Sequence, residues 1–591
     1  MLKFQDKVAL VTGSGTGIGQ AIAKKFVENG ASVVILGRRR EPLEETAKML
    51  EGIISKVQSG ATVKIFSGVD VSDEKSVNEM FDSIRNSNMK VNFVINNAGV
   101  SGPVTCFVNA SMNDFKSAVQ IHLTGTFWTS VQALKVMDEN SKIITISTFF
   151  TEERPLEQRP YRFRTPYTAA QGAKNRLAEA MGWELAEKKI ISIATNPGPV
   201  HSDRIYKTVY PKAAAEFLRV SGFEELAPKD VEAANKEILL LLGEDEKTVN
   251  DGISSAVNKL SKELGIEEKK LEKTLRNLME KVQTIAEKIQ KNTSKMITDG
   301  QFLSQEQVAT SVLNLCDEEI SKILNGKVVP GDRVFYPVKP HISGQSPSSH
   351  QLNLADQVVI FTIDATNDKD AKRAQFLAEQ VEKNSGKPVC IISNKTSKEI
   401  QESISSKFHS HVADLGNSDE IDRWFDAAKN MGKISSLVHI TGDIPSVSNL
   451  TELSRSEWDQ LVDKFINNPA NIIQRVLEQF VSGGSNDPRL FNDASGLITI
   501  IGPDLPVGRK IPGSERAKVD VFRGALRPFI ATLNQELSDV LKSKIRAFLI
   551  LPGSVDGNDP KDENIFRAFN YFLTENSLSS SEVVFCVDET R

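Results

Sequence analysis

Three glycines follow the first strand-like run of the sequence at a spacing that suits a bound phosphate. Gly13, Gly17 and Gly19 lie in the segment TGSGTGIG, between the apolar run KVALVT and a helical pattern. A pyrophosphate needs a backbone that can approach it closely and free N–H groups at the beginning of a helix. In this strand–turn–helix context the segment predicts a dinucleotide site, and a glycine-rich turn that binds no ligand is the alternative.

The end of the second strand-like run, SVVIL, carries positive rather than negative charge. Enzymes that bind NAD usually place an acidic residue here, which accepts a hydrogen bond from the ribose 2′-hydroxyl. In this sequence Gly37 stands at that place, and Arg38, Arg39 and Arg40 follow it. Because a guanidinium suits a 2′-phosphate, the sequence predicts NADPH rather than NADH, with a solvated basic turn as the alternative.

The elements that must position these residues alternate regularly along the chain. Helical patterns separate further apolar runs, namely Val63–Phe66, Phe93–Ile95, Ile143–Ile146 and Ile191–Thr195. Such alternation predicts an α/β fold in which a parallel sheet carries helices on both faces. Parallel strands are buried on both sides, which explains why most of these runs are largely apolar.

A second alternating pattern begins at Val358 and resembles a degraded copy of the first. The segments VVIFT, VADL, VHITG, LITII and LPG keep the order of their counterparts KVALVT, VDV, INNAG, IITIS and NPG, at an offset of about 350 residues. We infer an internal duplication and predict two tandem doubly wound, Rossmann-like parallel sheets, of which the second is degenerate. The predicted domains are residues 1–340 (the first half) and 354–591 (the second half).

Two stretches interrupt this alternation. Residues from about 228 to 296 are rich in Lys, Glu and Leu, and Leu271, Leu275, Leu278, Val282, Ile285 and Ile289 recur at heptad spacing. They predict a helical insertion in the first half, which either packs on its own domain or forms a subunit contact or a substrate lid. Residues 341–353 are rich in Ser, Pro, His and Gly and predict a linker.

Composition excludes several classes of protein. The 591 residues carry a net charge of −5, from 72 basic and 77 acidic residues, which argues against a nucleic-acid partner. The four cysteines lie far apart and the seven histidines lack metal-site spacing, so we expect no disulfide scaffold and no metal. The sequence shows no long apolar run and no signal peptide, so we expect a soluble, cytoplasmic protein without a membrane partner.

Three motifs in order make the first half similar to the short-chain dehydrogenase/reductase family: TGSGTGIG, then NNAG at 96–99, then NPGP at 196–199. The resemblance implies that NNAG lies beside the adenosine half of the cofactor and that the PG turn borders the nicotinamide. Asp70 and Val71 stand where the family holds the adenine ring. The cofactor-binding residues implied in this way are Gly13, Ser14, Thr16, Gly17, Ile18, Gly19, Arg38, Arg39, Asp70, Val71, Asn97, Ala98, Gly99, Pro197, Gly198 and Val200.

The resemblance also implies which residues take part in a reaction. Family members use a tyrosine that protonates a carbonyl oxygen, a lysine four residues later that lowers the pKa of this tyrosine, an upstream Ser or Thr and often an asparagine. Tyr167 and Thr148 match the tyrosine and the hydroxyl. Gln171, however, stands at the lysine position, and His122 stands at the asparagine position.

Each departure leaves two interpretations open. Gln171 can hydrogen-bond a ribose hydroxyl but supplies no positive charge. Lys174 lies on almost the same helix face as Tyr167, about 10 Å along the axis, and is either a substitute for the missing lysine or a surface lysine. His122 is either a member of a proton relay or a hydrogen-bonded polar residue.

The second half has lost these features. Its first turn, TIDATND, contains no glycine, and the tyrosine, lysine and hydroxyl positions hold Lys518, Phe522 and Gly502. We therefore expect a non-catalytic copy that binds no dinucleotide. The family commonly pairs subunits through the helices after its fourth and fifth strands, which implies either an intramolecular pseudo-dimer or a homodimer.

Two fused units with a helical insertion are similar to the N-terminal half of the bifunctional malonyl-CoA reductase family, whose FPGPxxSDRI and VSTIF resemble NPGPVHSDRI and ISTFF here. This resemblance implies NADPH-dependent reduction of malonate semialdehyde to 3-hydroxypropionate. Ser147 and Arg204 are the expected substrate residues, and Arg162 or Arg164 is the alternative partner for a substrate carboxylate. The other function considered is that of a cofactor-binding pseudo-reductase, a scaffold or sensor, because Gln171 replaces the lysine.

Overall fold

Both halves of the chain contain one seven-stranded sheet. The computed structural model describes residues 2–149, 162–200, 209–334, 354–444, 449–481, 483–505, 513–553, 561–573 and 584–587. All neighbouring strands pair in parallel, in the order β3-β2-β1-β4-β5-β6-β7 and β10-β9-β8-β11-β12-β13-β14. The predicted α/β fold with two tandem doubly wound sheets is therefore confirmed.

The first sheet is built from the apolar runs of the sequence. Residues of β1 such as Leu10 and Val11 are fully buried, because helices cover both faces of the sheet. The strands are β1 (Val8–Thr12), β2 (Ser32–Gly37), β3 (Val63–Ser67), β4 (Phe93–Asn96), β5 (Lys142–Ile146), β6 (Ile191–Pro197) and β7 (Val328–Gly331). The helices are α1 (Gly17–Glu28), α2 (Arg40–Val57), α3 (Glu74–Asn86), α4 (Met112–Val119), α5 (Gly125–Ala133), α6 (Thr165–Glu184), α7 (Tyr210–Ser221), α8 (Pro228–Ile238), α9 (Glu246–Leu264), α10 (Glu268–Ser294), α11 (Gln305–Leu315) and α12 (Glu318–Ile323).

The second half repeats this order of elements. Its strands are β8 (Gln357–Ile363), β9 (Lys387–Ser393), β10 (Ser410–Ala413), β11 (Lys433–Ile440), β12 (Ser495–Ile501), β13 (Lys544–Pro552) and β14 (Val584–Val587). Its helices are α13 (Asp368–Lys383), α14 (Lys398–Ser405), α15 (Ser418–Lys429), α16 (Arg455–Val462), α17 (Asn468–Gln479), α18 (Gly513–Gln535) and α19 (Asp562–Leu573). A π-helical turn follows α4 at Gln120–Thr124, and another follows α16 at Asp463–Asn467, so the duplication extends to this irregularity.

The two halves pack on each other through α6 and α18. The side-chain hydroxyls of Thr168 and Thr532 lie 3.2 Å apart, and Gly172 faces Gly524, so the helices run antiparallel. Beside them, the ring of Phe127 stacks on Trp458 of the second half at 3.8 Å. One hydrophobic core cluster contains residues of both halves, which makes the contact between them part of the protein interior.

The inserted helices α8, α9 and α10 form a small core of their own with α7. Leu271, Leu275, Leu278 and Val282 are fully buried in it, and Ile285 and Ile289 are partly buried against it. The heptad stripe therefore packs on its own half, as the first of the alternatives stated, and α10 is an amphipathic helix of that core. Within the described ranges, none of the helices is long and apolar enough to cross a membrane.

Candidate active site

A cavity of about 740 Å³ opens at the carboxyl ends of β1, β4, β5 and β6. In sheets of this type ligands bind at this edge, next to the point where the strand order reverses, here between β1 and β4. Predicted site residues that line the cavity are Gly13, Thr16, Gly17, Ile18, Arg38, Arg39, Asp70, Val71, Asn97, Ala98, Gly99, His122, Ser147, Thr148, Tyr167, Gln171, Lys174, Pro197, Gly198 and Val200. Residues that are spread over more than 180 positions of the sequence thus surround one cavity.

The glycine turn lies at the floor of this cavity and is held by the NNAG segment. The hydroxyl of Thr12 accepts hydrogen bonds from the backbone N–H of Asn97 at 2.9 Å and of Ala98 at 2.8 Å. Gly13 has a φ of +64°, and a Cβ there would lie 3.0 Å from the Cα of Ala98. A Cβ on Gly19 would overlap the carbonyl oxygen of Gly13, so the turn has no room for side chains at these two positions.

Two residues of the predicted cofactor set are not among those that line the cavity. Ser14 is fully buried, and its hydroxyl accepts a hydrogen bond from the backbone N–H of Leu36 at 3.0 Å. Gly19 lies beneath the turn, against Gly13 and the amide of Asn97. Both therefore support the shape of the turn and do not face the space above it.

Charged residues form the outer rim of the cavity. The guanidinium of Arg38 lies 3.7 Å from the carboxylate of Asp70, and the side chain of Arg38 is 60% exposed. The Oδ1 atom of Asp70 accepts hydrogen bonds from the backbone N–H of Ser72 at 2.9 Å and from its hydroxyl at 2.6 Å. Arg38 is therefore oriented by a carboxylate that is itself fixed, while it remains accessible to an anion.

Tyr167 lies in the first turn of α6 between two other side chains. The guanidinium carbon of Arg164 lies 3.9 Å from the centre of the Tyr167 ring, a cation–π contact, and its Nη2 donates to the carbonyl oxygen of Ser101 at 2.5 Å. The ring of His122 meets the Tyr167 ring edge-on at 5.2 Å. Arg164 is almost completely buried and also lines the cavity, so a cation stands beside the tyrosine.

His122 belongs to the π-helical turn between α4 and α5. Its Nε2 lies 2.9 Å from the carbonyl oxygen of Val100, within hydrogen-bond distance. The imidazole occupies the space next to Gly99, where a Cβ would lie 2.6 Å from the Cε1 atom of His122. The glycine of the NNAG motif is thus required by the histidine that stands at the asparagine position.

Gln171 lies in the wall of the cavity, with its side chain beside Ser147. The hydroxyl of Ser147 donates to the backbone carbonyl of Gln171 at 3.0 Å and lies 3.5 Å from its Oε1. Both residues are buried, as is Thr148. Ser147 therefore ties the end of β5 to α6, and Thr148 is the next hydroxyl along the chain that borders the cavity.

Lys174 is buried, so its interpretation as a surface lysine is wrong. One per cent of the residue is exposed, and its Nζ donates to the carbonyl oxygen of Ile146 at 2.7 Å. Burial lowers the pKa of Lys174 from the ordinary 10.5 to about 7. Lys174 is buried because α6 is covered by the sheet on one side and by α18 on the other. It lines the same cavity as Tyr167 and Gln171.

The arginines predicted for a substrate carboxylate lie in different places. Arg204 falls in residues 201–208, outside the described residues. Arg162 pairs with Asp539 of the second half at 2.5 Å and is not among the residues that line the cavity. Of the two described arginines of this group, Arg164 borders the cavity.

The first half of the chain is similar in sequence to known proteins. The family pattern described as short chain dehydrogenase matches residues 7–210. The uncharacterised oxidoreductase YxbG of Bacillus subtilis (strain 168) is 30% identical over 208 residues, which are 35% of this chain and 71% of that protein. The chain belongs to the short-chain dehydrogenase/reductase family. It is accordingly an oxidoreductase, as is the 7alpha-hydroxysteroid dehydrogenase of Escherichia coli (strain K12), which is 26% identical over 242 residues, 40% of this chain and 88% of that protein.

Two crystal structures of domains of a bacterial malonyl-CoA reductase, each with NADP, share the fold of the whole chain. The C-domain matches with a TM-score of 0.72 at 15% identity, over 99% of each chain. The N-domain matches with a TM-score of 0.69 at 14% identity, over 100% of this chain and 99% of that one. The predicted similarity to the N-terminal half of malonyl-CoA reductase is thus confirmed at the level of fold, and it extends to the C-domain.

In the second half, charged side chains fill the place that corresponds to the glycine turn of the family. Lys369 pairs at 2.8 Å with Asp443 and at 2.8 Å with Asp504, at the carboxyl ends of β11 and β12. Arg373 binds Asp504 through two hydrogen bonds of 2.6 and 2.8 Å. Asp370 lies beside Gly442, where a dinucleotide-binding turn would need open space. These ion pairs occupy the space that a pyrophosphate would need, which supports the prediction of a copy without a cofactor.

Sequence reasoning missed one wall of the cavity. It is lined by Phe149, which follows β5, by Val209, which precedes α7, and by Gln305, the first residue of α11. The backbone N–H of Leu303 donates to the carbonyl of Pro199 at 2.9 Å, which brings the segment that follows the insertion to the PG turn. A capping box at Ser304 and Gln307 marks the beginning of α11 in the sequence, but only packing joins that helix to the site. Among the described residues no group of three or more metal-ligating side chains is found.

Proposed function

We propose that the protein is an NADPH-dependent reductase of a small aldehyde that carries a carboxylate, and that it reduces malonate semialdehyde to 3-hydroxypropionate. The observation that supports the proposal is that one cavity is lined by a tyrosine, a threonine and an arginine, namely Tyr167, Thr148 and Arg164. This set offers a proton donor, a second hydroxyl for the carbonyl oxygen and a cation for a carboxylate.

The cavity fits a dinucleotide. Gly13 and Gly17 allow a pyrophosphate to approach the backbone closely, and the N-terminus of α1, which has no side-chain cap, directs its N–H groups toward it. Arg38 and Arg39 at the rim suit the 2′-phosphate of NADPH, and Pro197 and Gly198 border the opposite end. NADPH, when bound, supplies the hydride of the reaction.

The proton then comes from the protein. Tyr167 donates its hydroxyl proton to the carbonyl oxygen, which becomes the alcohol, and a proton from solvent restores the tyrosine. Thr148 donates a hydrogen bond to the same oxygen and polarises the carbonyl group. Lys174, when protonated, stabilises the negative charge that develops on Tyr167 and so takes the part of the family lysine that Gln171 replaces.

Arg164 selects the substrate in this proposal. Its guanidinium lies against the Tyr167 ring, so an aldehyde held near the tyrosine hydroxyl reaches it with a short chain. A charge-assisted hydrogen bond to a carboxylate is shorter and stronger than a neutral one. Arg204, in the segment after β6, remains the second arginine proposed for this role.

Gln171 favours a second candidate, a cofactor-binding protein without turnover. Its amide lies where the family has a lysine, and it contacts Ser147 rather than presenting a charge. In that case the cavity binds NADPH and the protein acts as a scaffold or sensor. Burial of Lys174 in the same cavity is the observation that argues for the enzyme.

The remaining parts of the proposal concern organisation. We propose residues 1–340 and 354–591 as the two domains, with residues 341–353, which lie outside the described residues, as the linker. The packing of α6 on α18 supports an intramolecular pseudo-dimer. We also propose a cytoplasmic location for this protein.

Steady-state oxidation of NADPH in the presence of several carbonyl compounds tests the proposal. We expect the highest kcat/KM with malonate semialdehyde and a kcat/KM lower by roughly tenfold or more with propanal, which lacks the carboxylate. Malonyl-CoA, which is a thioester and not an aldehyde, is included in the same assay for comparison with malonate semialdehyde. Tyr167→Phe should abolish reduction and leave the Kd of NADPH unchanged. Tight NADPH binding without oxidation by any compound would support the scaffold instead, and a preference for NADH would contradict the cofactor.

A further inference from the structure

A buried carboxylate of the second half reaches the turn that precedes α6. Glu536 begins the π-helical turn Glu536–Val540 after α18, and 1% of the residue is exposed. Its Oε1 accepts a hydrogen bond from the backbone N–H of Phe163 at 2.7 Å, and its Oε2 accepts one from the backbone N–H of Phe107 at 2.7 Å. One side chain therefore satisfies two buried donors that belong to separate segments of the first half.

The turn that Glu536 contacts has a strained backbone. Phe163 has a φ of +72°, in the left-handed region that costs a bulky residue free energy, and such strain persists only where surrounding contacts impose it. The carbonyl of Phe163 accepts a hydrogen bond from Thr105 at 3.0 Å. Arg164, the next residue, carries the guanidinium that lies on the Tyr167 ring. The backbone at Phe163 thus sets the direction in which Arg164 leaves the turn.

Other residues of the second half hold the same two segments. The amide of Gln474 donates to the carbonyl oxygens of Phe107 at 2.8 Å and of Ala110 at 2.7 Å. Arg162, one residue before Phe163, pairs with Asp539. The second half therefore contacts the segment before α6 through several side chains. Among them, Glu536 is the residue that is both buried and ionisable.

The chemistry of the contact requires an ionised carboxylate. A carboxylate offers two acceptor oxygens and no donor, whereas an amide would turn its NH₂ group toward one of the two N–H groups. The titratable groups that face Glu536 from the first half are Glu216, itself paired with Arg219, and the thiol of Cys106. Burial, with the charge of Glu216, raises the pKa of Glu536 to about 7 against the two N–H donors. Protonation converts one acceptor into a donor, so the contact weakens as pH falls through this value.

We propose that Glu536 is a positioning residue of the active site, which holds the strained Phe163 turn and thereby sets Arg164 and Tyr167 in the cavity. The degenerate half would then contribute to the reaction without a cofactor or a catalytic group of its own. The catalytic consequence rests on the proposed function, whereas the effect on the turn does not.

The variant Glu536→Gln tests this role against Asp520→Asn, which makes the same acid-to-amide change on α18. In Glu536→Gln we expect kcat to fall by roughly tenfold or more, KM for the aldehyde to rise, and the Kd of NADPH to stay within about twofold. Amide hydrogen exchange in residues 162–170 should accelerate, while Asp520→Asn should leave kcat and exchange near the wild-type values. An unchanged kcat and unchanged exchange in Glu536→Gln would overturn the proposal.

A measurement on the wild-type protein covers the case in which Glu536→Gln does not fold. After correction for intrinsic rates, exchange in residues 162–170 should be faster at about pH 6 than at about pH 8, because Glu536 takes up a proton in between. Equal corrected rates would overturn the proposal. If the wild type reduces no aldehyde, the proposed function fails, and the exchange data still decide whether Glu536 holds the turn.

Discussion

Gly172 and Gly524 face each other where α6 crosses α18. A Cβ on Gly172 would overlap the carbonyl oxygen of Gly524 and would lie 2.8 Å from the ring of Pro528. The two backbones approach closely because neither residue has a side chain. The helix that carries Tyr167 is therefore fixed against the second half about one and a half turns after the tyrosine.

Replacing Gly172 by alanine should destabilise the protein. Because the added Cβ meets backbone that cannot move aside, we expect a loss of roughly 1–3 kcal/mol in the free energy of unfolding, measured with urea. Gly52→Ala is the matched control, since Gly52 lies inside α2 with nothing within 4 Å of an added Cβ. There we expect a gain of up to about 1 kcal/mol from helix propensity. Equal effects of the two substitutions would contradict the close crossing.

Lys174→Met should reduce turnover and change its pH dependence. The burial that lowers the pKa of Lys174 to about 7 means that its ammonium is lost as pH rises through this value. Reduction by the wild type at saturating NADPH should therefore slow above about pH 7, and the variant should lack this decline and turn over roughly tenfold or more slowly at pH 7. Gln171→Lys should bring little gain if Lys174 already supplies the charge. A large gain would show that Lys174 does not.

The same lysine should make stability depend on pH. Its pKa in the folded protein lies below the ordinary value of 10.5, so the unfolded chain binds the extra proton between these values. The free energy of unfolding should therefore rise with pH above about 7, by at most about 1.4 kcal/mol per pH unit. Comparing denaturation of the wild type and of Lys174→Met at about pH 7 and pH 9 isolates this contribution, which is absent from the variant. Parallel pH profiles would contradict the burial of an ionisable Lys174.

Arg38 and Arg39 should distinguish NADPH from NADH. Alanine at either position removes a partner of the 2′-phosphate, so KM for NADPH should rise by roughly tenfold while KM for NADH changes little. Arg40→Ala is the control, because Arg40 pairs with Glu44 at 2.5 Å and is not among the residues that line the cavity. Equal losses with both cofactors would show that the arginines do not recognise the phosphate.

The chain should bind one NADPH. Titration calorimetry should give one site for the wild type and none for Gly19→Ala, in which the added Cβ overlaps the backbone of Gly13. The ion pairs of Lys369 and Arg373 occupy the corresponding place in the second half. A site that survives in Gly19→Ala would mean that the second half binds the cofactor after all.

Local sequence patterns determined the sheets and the cofactor turn. Parallel strands are buried on both faces, so β1, β5 and β8 are largely apolar runs in the sequence. A turn that must approach a phosphate needs glycine at Gly13 and Gly17, where φ is +64° and +66°. These requirements concern residues that are close together in the sequence, so they can be recognised without a structure.

Single side-chain directions within those segments were less accessible. Ser14 shares the glycine turn but points to the backbone of Leu36, because β2 passes behind the turn. The sequence suggests that Lys174 is a polar residue on a helix surface. In the structure this part of α6 lies between its own sheet and α18, so Lys174 is buried. The family resemblance implied a contact through the helix after β5, but no pattern in the sequence indicates which side chains of that helix the contact buries.

The contacts that join the halves were decided by tertiary structure alone. Glu536 and Phe163 are 373 residues apart, and Gln474 and Phe107 are 367 apart, so no periodicity or motif relates them. Each pair forms when separately folded elements pack and a buried donor must find an acceptor. The sequence therefore determined the fold and where a cofactor would bind, whereas packing decided which charged groups surround Tyr167, because charges enter a protein interior only where distant partners meet them.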